Sequence, residues 1–472
     1  MTTPDFDPFE NLPPQMREML SQLGGIENLL PQLQAIMFGA GAGPVNWDLA
    51  RRVAMQIAAD GDRSPTDDET ARATQAMELA EHWLDAGTLP APPDAGHIVV
   101  GRRTDWVDRA LTSMRPLVEP VAAATTRSLI DLAAQQMPQA EHMLPPEMAG
   151  MLGNVDLSAV LRPMGATLAG MQVGQVVGQL ATQLLGQYDL GVPTAERDTA
   201  FHVAVNVADA MAGWDLDAME VSIALALHET AHRRLFHAVP WLQAHLHGLI
   251  AQFANGTQLD PEQMQRFADD LMIGVDPDDP DSMQRAMDRA GDFRMEPTDA
   301  QRRVLARLQG VICLVQAWAR SEADRVAADR LPNLGRITEV LRRRRAERGD
   351  GEAMLASLLG LDLKPQDEAV GDRFVAEVTA MHGPDLLQRA LDHPENLPDL
   401  DELADPARWL ERMEADDAVP ADASALFGDL DDAPVEQSAS ERMHDLDGGR
   451  GDDGGGDRGD DPDGVRGDDG NT

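Results

Sequence analysis

The feature that most constrains this chain is a helical segment, Met219 to Phe236, that carries His228-Glu229-Thr230-Ala231-His232 on its apolar side. Residues three and four apart share one face of a helix. Val221, Leu225, His228 and His232 succeed one another at spacings of four, three and four, so both imidazoles point with the buried stripe. Ile223, Ala224, Ala226 and Leu227 make the first half apolar nearly all round, which suits a helix enclosed by other helices. Asp215 or Asp217 is the expected N-cap, and Pro240 ends the segment. Arg233 and Arg234 fall near its end, where cations favour the helix dipole.

Two imidazoles four apart on one face can hold a zinc ion, and the Glu between them can take a proton from water activated by the metal. In a chain with this much His and Glu, chance produces the pattern in roughly one sequence in fifty. The residues alone therefore leave two readings. One is a metal site at His228 and His232 with Glu229 as general base. The other is a pair of hydrogen-bonded histidines in a core.

The rest of the chain reads as helix after helix. Asn46 can cap a helix over Trp47–Ala59, and Pro65-Thr66-Asp67 opens a second, to about Asp85. Leu89 to Gly101, with three prolines, reads as loop. Helices are expected over Asp105–Leu117, Pro120–Gln136 and Leu157–Gln187, the last interrupted near Pro163. Gly170, Gly174 and Gly178 form a stripe there that lets another backbone come close. Phe201–Met211 fits strand or helix equally. Further helices are expected over Trp241–Ala254, Pro261–Met272, Ser282–Ala290, Thr298–Ala328, Arg336–Arg348, Met354–Leu363, Asp372–Met381 and Pro384–Ala390. No run of strand alternation interrupts them. The predicted fold class is mainly α: a body over residues 44–413, a mobile segment over 1–43, and an acidic Asp/Gly-rich disordered tail over 414–472.

Charge excludes some functions. The formal net charge is −42; residues 429–472 carry −11 of it, so the body is acidic too. Such a surface repels nucleic-acid phosphates, and nucleic acid is not an expected partner. No stretch has the apolar length of a membrane span, and MTTPDFDPFENLPP lacks the basic and apolar regions of a secretory signal, so a cytoplasmic protein is expected. Cys313, the only cysteine, excludes a disulfide framework and sits among core-type residues. A strand-flanked GxGxxG or a Walker loop is missing, which argues against a nucleotide-dependent enzyme.

Several segments together resemble an actinobacterial family of zinc-dependent metalloproteases, helical zincin-like proteins with poorly defined substrates. They are Gly43 to Ala50, Trp106 through Pro120, Met171 to Gln175, Gly178 to Leu180, Leu227 to Phe236, Pro240 to Leu242, Arg342 to Arg345, Leu358 to Leu361, His393-Pro394 and Leu397-Pro398. The resemblance implies a zinc site on the His228–His232 helix, with Zn²⁺ as cofactor and a peptide or protein as substrate. It also implies a third ligand, a Glu that follows Leu-Val. Here Leu314-Val315 is followed by Gln316, a neutral amide that offsets none of the charge of a dication. The other available donors are Glu322 and Asp324 on the same helix, with Glu322 the substitute for Gln316, and His237, His245 and His247. The metzincin extension is missing: its glycine and third His would fall at Leu235 and Ala238. Two functions stay open: a zinc-dependent hydrolase of the metallopeptidase type, or a zincin-fold binding or scaffold protein whose catalysis is weakened or lost because of Gln316.

Overall fold

The computed structural model describes residues 43–143, 157–256, 297–346, 350–359 and 365–418, apart from 94, 96, 197 and 198. The helices expected at 261–272 and 282–290, the segment 1–42 and the tail from 419 lie outside the described residues. The chain divides into two units, Met1–Glu414 and Ala415–Thr472.

The first unit is mostly helical, as expected. Its elements are α1 (Trp47–Ala58), α2 (Asp67–Leu84), β1 (Ile98–Gly101), α3 (Arg103–Ser113), α4 (Arg115–Met143), α5 (Leu157–Gln183), β2 (Ala200–Val203), α6 (Ala204–Met211), α7 (Ala218–Ala238) and α8 (Trp241–Asn255). After these come α9 (Asp299–Ala327), α10 (Leu334–Ala346), α11 (Asp350–Leu359), α12 (Pro365–His382), α13 (Pro384–Ala390), a 3₁₀ turn (Pro394–Asn396) and α14 (Leu400–Ala404). Helix α15 (Pro406–Ala418) begins in this unit.

Local chemistry starts the helices where the sequence places them. Asn46 Oδ1 accepts the Leu49 N–H, Thr66 forms a capping box with Glu69, and Thr298 one with Gln301. Asp217 caps α7, whereas Asp215 takes a positive φ of 50° in the preceding turn. The glycine stripe of α5 receives α1. A Cβ at Gly170 would meet Asn46, one at Gly174 would lie 2.7 Å from Val53 Cβ, and one at Gly178 2.8 Å from Ile57 Cβ. Close helix packing, not a membrane contact, explains the stripe. Among the described residues no helix is long and apolar enough to cross a membrane.

Two expectations need correction, and one open reading is resolved. Helix α5 runs unbroken through Pro163, at the cost of one backbone bond, because its downstream face is held against α1. The segment read as loop ends in β1, which pairs parallel with β2 in the register Ile98↔Ala200 to Gly101↔Val203. Local sequence misses this because the partner lies about a hundred residues away. Phe201–Met211 resolves into both alternatives, the end of β2 followed by α6.

Helix α7 is the central element, packed between α2 and α9. Val221, Leu225, Ala226, Leu227, Ala231, Leu235 and Phe236 are buried in it. The stripe Leu308, Ile312, Val315 and Ala319 of α9 is buried likewise, and Cys313 is a core thiol whose pKa burial pushes up to about 12.

Candidate metal centre

The centre is built where α5 stops. Asn206 Nδ2 donates to the carbonyls of Ala181 and Leu184 at 2.8 and 2.7 Å, satisfying the helix end. The chain then pairs with β2: Val203 N–H donates to Leu185 O at 2.9 Å, and Gly186 bridges His202. A turn follows, closed by Gly191 N–H to Tyr188 O at 2.8 Å with Gly191 at φ 73°. This turn lies over α7. The Glu229 carboxylate, 2% exposed, accepts the N–H groups of Gln187 at 3.3 Å and Tyr188 at 3.1 Å. Burial and the charge of Asp189 raise its pKa well above the usual carboxylate range, against the pull of those backbone donors.

The same turn brings Asp189 to the motif helix. One ligand atom each from Asp189, His228 and Glu229 lie within 4.8 Å of one another. Leu185 N–H donates to Asp189 Oδ2 at 2.6 Å and fixes the carboxylate. The His232 ring, fully buried, lies 4.4 Å from the His228 ring and stacks on Tyr188 at 5.5 Å. Its Nδ1 is 2.9 Å from the His228 carbonyl oxygen. With the proton on Nδ1 it donates to that oxygen, and Nε2 carries the lone pair, the arrangement a metal-binding imidazole uses.

These donors fit a divalent cation. Two imidazoles and two carboxylates are the ligand types zinc takes. Bonds of about 2.1 Å set tetrahedral ligands about 3.4 Å apart. Asp189, His228 and Glu229 each bring a ligand atom within 4.8 Å of the others, and the His232 ring, outside that group, lies 4.4 Å from the ring of His228.

The other expected donors are placed elsewhere. Gln316, 7% exposed, accepts from Arg320 Nη1 at 3.1 Å through Oε1, and its side chain rests against Gly191. Glu322 pairs with Arg325 at 2.8 Å and faces Gly87, beyond the end of α2. His237, His245 and His247 do not join the cluster. Asp324 lines a cavity of about 270 Å³ beside His228, with Arg320, Glu368 and Asp372. Burial and Asp372 raise its pKa. A second cavity, of about 90 Å³, opens at Asp189, Gln316 and Glu368 and is otherwise walled by apolar side chains such as Leu117, Leu246, Ile250, Leu308, Ile312 and Leu355.

Arg233 and Arg234 are not dipole-facing surface cations. They are 0% and 2% exposed and share the buried carboxylate of Glu81, with Arg234 Nη2 2.7 Å from Glu81 Oε2 and 2.8 Å from Asp85 Oδ1. Periodicity puts them on the helix; only the packed α2 supplies their partner. Asp189 was missed for a similar reason, since a lone Asp in a turn 39 residues before His228 carries no ligand spacing.

The family profile described as zincin-like metallopeptidase matches residues 45–410. The chain belongs to that family. No curated protein matches it. Among solved structures, a candidate hydrolase with a novel fold from Chloroflexus aurantiacus superposes with a TM-score of 0.53 at 23% identity, over 78% of this chain and 99% of that one. At this identity the likeness bears on the fold alone. Membership of a metallopeptidase family supports a metal-dependent hydrolase in general, and two of the three clustered donors, His228 and Glu229, lie on helix α7.

Proposed function

We propose that this protein is a zinc-dependent peptidase, acting in the cytoplasm and belonging to the actinobacterial branch of its family. The observation that carries the reading is the convergence of His228 and Glu229 with a further carboxylate within 4.8 Å, beside the His232 ring. His228 and His232 are the imidazole ligands. Zinc, when bound, polarises a peptide carbonyl and acidifies water. Glu229 holds the proton at a carboxylate oxygen and returns it to the leaving amine; its enclosure by backbone N–H groups fixes the position of that oxygen. Gln316, the third position expected from the sequence, brings only a neutral amide already engaged by Arg320. The apolar cavity of about 90 Å³ beside the centre suits an aliphatic or aromatic substrate side chain.

The test is metal content of the full-length protein purified without a histidine tag, together with cleavage of a mixed peptide library before and after chelation. About one zinc per chain, lost in His228→Ala and retained in Glu229→Gln, with cleavage reduced by about 10²–10⁴ in the latter, is the expected result. A second reading, a binding or scaffold protein on this fold, draws on the burial of Glu229 and the neutrality of Gln316. Bound zinc with no cleavage of any peptide would favour it.

A further inference from the structure

We propose that Asp189 supplies the third protein ligand of the zinc site, in the place that Gln316 leaves without a charge. The inference rests on the zinc reading above and adds the residue that completes it. A dication held by two neutral imidazoles and an amide keeps its full charge in a site where Glu229 and His232 are nearly or fully buried. That is costly, and one carboxylate ligand offsets half of it.

Three observations select Asp189. Its carboxylate reaches both His228 and Glu229 within 4.8 Å, which no other carboxylate among the described residues does. Backbone N–H of Leu185 anchors one of its oxygens at 2.6 Å, the kind of outer hydrogen bond that orients a ligating carboxylate, and the second oxygen can bind. The turn that carries it rests on Gln316: a Cβ at Gly191 would lie 2.6 Å from Gln316 Cγ, so only glycine lets the turn come so near α9. Asp189 and Gln316 both line the same cavity. A carboxylate on either would address the same space. Here it stands on the turn and not on the helix. Glu322 is occupied with Arg325 at 2.8 Å.

The experiment is Zn²⁺ affinity, by competition with a chromophoric chelator, of the full chain and of Asp189→Asn, Gln316→Glu, the double variant and His228→Ala. Asp189→Asn keeps an oxygen for the Leu185 N–H, and circular dichroism checks its fold. The expected result is a loss of about 100-fold or more in Asp189→Asn, with most of it recovered in the double variant. Wild-type affinity in Asp189→Asn together with loss in His228→Ala overturns the inference and leaves the zinc reading standing. No zinc binding by the wild-type chain overturns both. If Asp189→Asn misfolds, Gln316→Glu alone decides. A gain of only a few-fold means the wild-type site already has its carboxylate; a gain near 100-fold means that it has none and sinks the inference.

Discussion

Gly186 lies directly on the carboxylate of Glu229: a methyl group at position 186 would sit 2.6 Å from Glu229 Cδ. The backbone after α5 can therefore donate to that carboxylate only because residue 186 has no side chain. Gly186→Ala should displace the carboxylate from its donors and cost about 1–3 kcal/mol of stability, as overpacking of a dense core does. Urea denaturation of the variant against wild type measures it. An unchanged midpoint would mean that the turn slides without consequence.

Glu81 is the shared counter-charge of two guanidinium groups that are almost wholly enclosed. Glu81→Gln should cost about 3–5 kcal/mol by leaving them in a dry interior without it. Asp85→Asn, whose side chain is 60% exposed, should cost less than about 1 kcal/mol although it touches the same Arg234. Equal losses in the two variants would contradict the role given to burial.

His202 is buried in β2, and burial lowers its pKa from 6.5 to about 4. A depressed histidine contributes stability that is complete above the unfolded value, near 6.5, and is lost as pH falls toward 4. The loss is at most about 3 kcal/mol. Glu69 and Arg72 line the same cavity, and Glu69, held down to about 2 by Arg63, stays ionised through this window. Unfolding free energies at pH 7 and pH 4.5 should therefore diverge more in wild type than in His202→Gln. Parallel slopes would refute the assignment.

If the small cavity receives a substrate side chain, its volume sets the preference. Peptides with Leu or Phe at the scissile bond should be cleaved about 10–200-fold faster than the Ala peptide. Ile312→Phe, which fills the cavity from α9, should reverse that order. Rates for Leu, Phe and Ala peptides that do not respond to Ile312→Phe would move the specificity pocket elsewhere, for example to the larger cavity at Asp324.

How much of this was legible in the sequence follows the range of each interaction. Asn46, Thr66, Asp217 and Thr298 start helices through bonds made within three residues, so their role is written locally. The glycine stripe announces a close helix neighbour but not which one; α1 is fixed only by packing. The pairing of His228 with His232 is a matter of helical phase and was visible at once. Asp189, Glu81 and β1 act across 39, more than 150 and about 100 residues, and no spacing rule marks them. Arg233 and Arg234 show the limit best, since the same sequence position suits a solvated helix end and a buried ion pair.

The pairing of β1 with β2 also bears on the order of folding. Each helix forms from neighbours, whereas Ile98 meets Ala200 only by closing a loop of about a hundred residues. Val203 is both a rung of that ladder and the donor to Leu185 O, where the turn that carries Asp189 begins. The centre thus waits on a contact between segments about a hundred residues apart in sequence. A nascent or partly folded chain would hold helix α7 without a finished centre, and competence would arrive with the last strand to dock.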